Sequence, residues 1–227
     1  MLHYNSYESL SSAAAHYFTV AYSRSITAHD KFTVALSGGN TPKRFLELLA
    51  TPEFSQNINW KKVFIFFSDE RYVPHTDDES NFKMAKESLL DHIAIPKKNI
   101  FAIPTNATPA KDAVAYEASV KSVTSDSKFS FDLILLGMGA DGHTASLFPG
   151  NEILNEKKRL VKEVFVKEKN IYRISFTFYL INKAKQVLLL VNGEEKKPLL
   201  KKIAASRKTK HPLPVQMVKG DVTWMIA

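Results

Sequence analysis

The chain contains no cysteine, which excludes disulfides, thiolate zinc sites and cysteine nucleophiles and leaves catalysis to oxygen and nitrogen groups. It has no uncharged apolar run approaching the about 18 residues that span a bilayer. Its first residues, MLHYNSYESL, lack both the basic region and the apolar stretch of a signal peptide. A cytoplasmic protein with no membrane contact is therefore expected. No internal repeat or low-complexity linker divides the sequence, and 227 residues suffice for one large domain, so a single domain over 1–227 is expected. Acidic residues are outnumbered, 23 against 31 basic ones, for a formal charge of +8. Such a surplus suits either a nucleic acid or a small anionic substrate. The lysines lie scattered among Glu and Asp in NEKKRLVKEVFVKEKN and GEEKKPLLKKIAASRKTK, without interleaved aromatics. They read as solvated faces, so a small anion is expected and a nucleic-acid partner is not.

What is present is a strand-helix alternation. FTVALS (32–37), VFIFFS (63–68) and FDLILLG (131–137) are apolar, rich in β-formers and end at polar or glycine turns, as buried parallel strands do. YRISFTF (172–178) and QVLLLVNG (186–193) have the same character, and VTWMIA supplies a last strand. Between them SYESLSSAAAHYFTVAYSRSITAH, TPKRFLELLA, ESNFKMAKESLLDHI, TPAKDAVAYEASVKSV and EEKKPLLKKIAAS repeat apolar residues three and four positions apart, the helical spacing. The pattern predicts a Rossmann-like, doubly wound α/β fold, a mostly parallel sheet flanked by helices with a small appended element. Residues 151–170 are dominated by charge, and their VFV run fits an edge strand or a hairpin arm equally well.

Three segments carry chemistry. In LSGGNTPKRF a strand runs through Ser37, Gly38, Gly39 and Thr41 into a helix opened near Pro42. Glycines let backbone N–H groups approach an anion, and the helix N-terminus adds free donors, the outline of a phosphate cradle. The Walker lysine spacing is missing, so no nucleotide is implied. In FFSDERYVP the strand ends in Asp69, Glu70 and Arg71, at the edge where open parallel sheets bind ligands; the competing reading is a solvated loop. His75, Asp77, Asp78 and Glu79 read as loop and helix-start residues. In FDLILLGMGADGHTASLFPG, Gly137, Gly139 and Gly142 match the dinucleotide pattern G-x-G-x-x-G. Pro149 and Gly150 leave no room for the long helix that such a site needs, so no cofactor is expected. The turn then presents Asp141 and His143. The other six histidines, His3, His16, His29, His75, His92 and His211, show no convergent partner. A metal held by Asp141, His143, Asp69 and His75 has no known ligand spacing behind it and is not expected.

Together SGGNTP, SDERYVP with DDESNF, and GMGADGHTASLFPG resemble, in order and spacing, the 6-phosphogluconolactonase family, and the resemblance extends through Arg173, Lys196 in GEEK and the tail GDVTWMIA. It implies hydrolysis of 6-phospho-D-glucono-1,5-lactone in the oxidative pentose phosphate pathway, without a cofactor. Related glucosamine-6-phosphate deaminases share the D-G-H element but carry an acidic residue before the P-G pair, where this chain has Phe148, and a neutral aromatic in place of Arg71. A sugar-phosphate-binding regulator on the same fold is a third reading. For the lactonase, His143 acts as general base, oriented by Asp69 or Asp141, and Arg71 stabilises the oxyanion or grips substrate oxygens. Ser37, Gly38, Gly39, Thr41, Arg173 and Lys196 hold the phosphate. The partner is a phosphorylated sugar lactone, and a monomer is expected. The chain departs from the family at Asn40, at the VKEKNIY stretch before Arg173 and at the terminal Ala227.

Overall fold

Residues 1–124, 130–205 and 211–227 are described in a computed structural model. The strands are β1 (Leu2–His3), β2 (Phe32–Leu36), β3 (Val63–Phe67), β4 (Asp69–Arg71), β5 (Leu133–Gly137), β6 (Val161–Val166), β7 (Ile171–Phe176), β8 (Gln186–Val191) and β9 (Val222–Ile226). The helices are α1 (Tyr7–His29), α2 (Asn40–Ala50), α3 (Pro52–Ser55), α4 (Asn81–Ser88), α5 (Pro109–Val123), α6 (Phe178–Ile181) and α7 (Lys197–Ala205). Side chains of Ser6, Ser80 and Thr108 cap α1, α4 and α5, satisfying first-turn donors that the helix itself cannot. The last residue of the segment read as helix at 194–206, Ser206, and the charged RKTK stretch lie outside the described residues. No helix among the described residues is long and apolar enough to cross a membrane.

Six strands form one parallel sheet in the order β1-β9-β8-β5-β2-β3. The fold is the expected α/β one. From β2 the chain moves outward to β3, then returns to lay β5 on the other side of β2 and continues through β8 and β9. The order reverses between β2 and β5, and in an open parallel sheet the crevice beyond the carboxyl ends at such a reversal is the ligand site. The loops that meet there are 37–39 and 138–148.

The appended element is a second, antiparallel sheet, β4-β7-β6. Residues 172–178 do not continue the parallel series as expected: β7 pairs with β4 and β6, and its first half is only partly covered while Ile174 to Phe176 are buried. The charged 151–170 segment holds two short 3-10 turns and, between them, β6, the hairpin arm paired with β7. Ser68 joins the two sheets, because its N–H donates to the Leu36 carbonyl and its own carbonyl accepts from the Phe176 N–H, both at 2.8 Å. Residues of both sheets, from Phe32 and Leu135 to Val164 and Phe176, share one buried core.

The amino ends of the strands are tied by Asp132. Its buried carboxylate accepts from the Thr33 N–H and hydroxyl and from Lys185 Nζ, each at 2.8 Å, and lies 2.9 Å from His29 Nε2. Burial raises this carboxyl, but the Lys185 and Thr33 bonds outweigh it and hold it below the ordinary aspartate range. A depressed carboxylate stabilises the fold above the unfolded aspartate value and loses that contribution as pH falls through the folded one. Asp132→Asn should therefore cost about 1–3 kcal/mol at pH 7, with the gap closing below about pH 4. Urea titrations across that range check it, and a gap independent of pH would contradict the charged role.

Candidate active site

The crevice at the β2–β5 reversal is a cavity of about 440 Å³. Nine of the ten residues singled out from the sequence line it: Ser37, Gly38, Gly39, Thr41, Asp69, Arg71, His143, Arg173 and Lys196. The tenth, Asp141, faces an adjoining cleft that shares His143 as a wall.

The floor comes from the turn after β2. Gly39 has φ +94° and stands at the start of α2, where its missing side chain leaves the first helical N–H groups uncapped. Those donors and the helix dipole suit an anion. Gly38 is glycine for another reason: a Cβ there would fall 1.7 Å from Oδ1 of Asn81. The Tyr7 hydroxyl holds the first turn of α2, donating to the Asn40 carbonyl at 2.7 Å and accepting from the Arg44 N–H at 3.2 Å.

One wall is β4, and its pleat separates the three charges of DER. Asp69 and Arg71 line the cavity, whereas Glu70 turns away and accepts from Ser80 Oγ and the N–H groups of Arg71, Asn81 and Phe82 at 2.7–3.0 Å. Burial pushes its carboxyl up, against the pull of those N–H donors. Glu70 thus anchors the start of α4. That helix presents Asn81, whose amide donates to the Asp69 carbonyl at 2.8 Å.

Across the small sheet Arg71 stands directly opposite Arg173. Like charges in register repel, and the compensation is incomplete. Arg71 Nη1 donates to the Glu79 carbonyl at 2.5 Å, and Arg173 Nη1 lies 4.0 Å from the Asp69 carboxylate. The Nε atoms of both arginines are buried with no acceptor among the described residues. Burial lowers the Arg173 guanidinium from its ordinary value, with Asp69 opposing and Arg71 reinforcing that shift. Two guanidinium cations lining one cavity make an anion or oxyanion site. Lys196 lines the same cavity, its Nζ donating to the Asn192 carbonyl at 2.9 Å.

The opposite wall is the turn after β5. No helix follows Gly142, so the glycine pattern builds no dinucleotide site. Gly139 instead makes room for the histidine, since a Cβ there would sit 2.2 Å from the His143 ring and 2.8 Å from Asp141. Asp141 Oδ1 lies 2.5 Å from His143 Nδ1 and accepts the His143 backbone N–H at 3.0 Å. With Nδ1 carrying the proton toward the carboxylate, Nε2 is left with its lone pair. Of the two carboxylates weighed as orienter, Asp141 is the one bonded to the ring. Asp69 is engaged elsewhere, accepting from the Ser146 hydroxyl at 2.6 Å. Ala145, in the left-handed region at φ +48°, is the unusual bend that brings Ser146 inward.

Reading the sequence missed Tyr7, Asn81 and Ser146, whose partners lie from about a dozen to 77 residues away; only the position of Asn81 just after the acidic cluster offered a local hint. His75 is bonded to the Ile103 carbonyl at 2.8 Å and does not line the cavity, so the four residues weighed for a metal are not assembled.

Residues 5–225 match the family described as glucosamine-6-phosphate isomerases/6-phosphogluconolactonase. A 6-phosphogluconolactonase of Nostoc sp. is 38% identical over 207 residues, 88% of this chain and 84% of that protein. One from Haemophilus influenzae is 38% identical over 196 residues, 85% and 83% of the two chains. The solved structure of 6-phosphogluconolactonase from Trypanosoma cruzi superposes with a TM-score of 0.88 at 31% identity, covering 99% of this chain and 92% of that one.

Proposed function

The chain belongs to the family of glucosamine-6-phosphate isomerases and 6-phosphogluconolactonases, and from that footing we propose how it carries out the reaction of its lactonase members, hydrolysis of 6-phospho-D-glucono-1,5-lactone to 6-phospho-D-gluconate in the pentose phosphate pathway. The observation that carries the mechanism is His143, bonded to Asp141 at its back and sharing one cavity with Arg71 and Arg173. His143 Nε2 takes a proton from water as its oxygen bonds to the lactone carbonyl carbon. The carbonyl electron pair moves onto oxygen, where the Arg71 guanidinium meets the developing charge. On collapse the ring C–O bond breaks, and the departing oxygen takes the proton back from His143. Asp141 orients the imidazole and stabilises its charged form without itself accepting the proton.

The phosphate is held at a distance from that carbon by Arg173, Lys196, the Ser37 and Thr41 hydroxyls and the N–H groups of Gly38 and Gly39. Binding energy from this non-reacting end fixes the carbonyl against His143. Unphosphorylated gluconolactone should then lose about 10²-fold or more in kcat/KM, in kcat as well as in KM. Proton-release assays on both lactones, with spontaneous hydrolysis subtracted, check this, and equal turnover of the two would remove the phosphate grip. Ammonia release from glucosamine 6-phosphate in the same samples would instead mark a deaminase. Against that reading, the ring of Phe148 lies 4.3 Å from the His143 ring, where the resemblance asks a deaminase for a carboxylate. Our reading is of a cytoplasmic monomer, and light scattering of the eluting protein tests the monomer.

A further inference from the structure

Phe148 is a large apolar side chain that the core does not use. It is half-buried, and it belongs neither to the core nor to the described side chains packed against it. A phenylalanine is normally retained for the apolar area it buries; here the ring touches polar groups of the active site. Its centroid lies 4.3 Å from that of the His143 imidazole with the planes tilted by 30°, and the Arg173 guanidinium carbon lies 5.3 Å from the same centroid. The ring also lines the adjoining cleft of about 610 Å³, against which His143 forms the partition from the main cavity.

We propose that Phe148 is a positioning residue for lactone hydrolysis, one ring that stacks the base His143 and the cation Arg173 and so sets the spacing between them. The inference rests on His143 being the base. A single hydrogen bond from Nδ1 to an exposed Asp141 fixes one point of the imidazole but leaves its plane free to swing about that bond. A flat partner removes that freedom, because aromatic rings prefer a narrow range of offsets. The face of the same ring attracts a guanidinium, which places Arg173 at a set distance from His143. The lactone carbon and the phosphate are separated by a fixed length of substrate, so the spacing of base and phosphate grip decides whether water is aimed at the carbonyl. A misplacement of about 1 Å is enough to cost about 10²-fold in rate.

The test is hydrolysis of 6-phosphogluconolactone by the full chain carrying Phe148→Ala, Phe148→Tyr or His143→Ala, with thermal unfolding followed on each. Phe148→Ala should lower kcat by about 10- to 100-fold with a smaller change in KM, whereas Phe148→Tyr, which keeps the ring, should stay within about threefold of the parent. Melting temperatures should stay close to the parent's, because the side chain lies outside the core. Parental kcat in Phe148→Ala, an equal loss in Phe148→Tyr, or a loss that tracks a large fall in melting temperature would each overturn the role. Full activity in His143→Ala would remove the base assignment and this inference with it. An inactive His143→Ala beside an active Phe148→Ala would remove the inference alone.

Discussion

Replacing His143 by glutamine should lower kcat for 6-phosphogluconolactone by about 10²- to 10⁴-fold, the range that a positioned general base supplies, and leave KM near the parent value. Glutamine is chosen because its amide can still donate to Asp141 and fill the space that Gly139 leaves open, yet it cannot accept a proton near neutral pH. Packing and the local hydrogen bond are kept while the chemistry is removed. The His143 side chain is 27% exposed and that of Asp141 47%, so water reaches the dyad and no fold-wide destabilisation should accompany the change. The rate must be followed after subtraction of spontaneous lactone opening, which otherwise sets a floor and understates the loss. A glutamine variant retaining most of the parental kcat would move the base elsewhere. Asp141→Asn should fall between the two, because its amide no longer stabilises the imidazolium that forms as water attacks.

The parts of this fold that could be read ahead were those decided by local chemistry. β2, β3 and β5 are runs of branched and aromatic side chains buried almost throughout, and a strand enclosed on both faces declares itself by composition alone. β7 has similar residues and a different fate, because pairing direction depends on which strand lies beside it, here β4 and β6 rather than a neighbour in the large sheet. The same limit applies in the site. Asp69, Glu70 and Arg71 are consecutive in the sequence, yet a period of two along β4 divides them into two groups lining the cavity and one holding α4. The glycines of GMGADGH were separable from a dinucleotide site by the nearby Pro149, but that Gly139 is needed as clearance for an imidazole follows only from where the chain returns four residues later. Ser146 and Asn81 reach Asp69 across 77 and 12 positions, distances at which no spacing rule speaks.

Arg173→Leu should reduce kcat/KM for the phosphorylated lactone by about 10³-fold, corresponding to the about 4 kcal/mol typical of truncating one partner in a buried charged contact. Part of that loss is local. Without the guanidinium, the buried Asp69 carboxylate keeps, among the described residues, only Ser146 and Asn81 as side-chain donors and its charge faces an incoming anion uncompensated. The substrate separates this effect from the phosphate grip. If Arg173 acts on the phosphate, the penalty of Arg173→Leu should shrink by about tenfold or more when the substrate carries no phosphate, since the lost contact is then absent from both members of the comparison. If it acts on the carbonyl, the penalty should be the same for both lactones. Arg71→Leu supplies the opposite expectation, an equal loss on either substrate, because an oxyanion forms whether or not the phosphate is present. Arg173→Lys should recover only part of the rate on the phosphorylated lactone, as an ammonium supplies the charge but neither the planar fork nor the flat face that lies against Phe148. The four rates together assign each arginine to one end of the substrate, and a pattern in which both losses are independent of the phosphate would place the phosphate grip with Lys196 and the turn at Gly38 and Gly39.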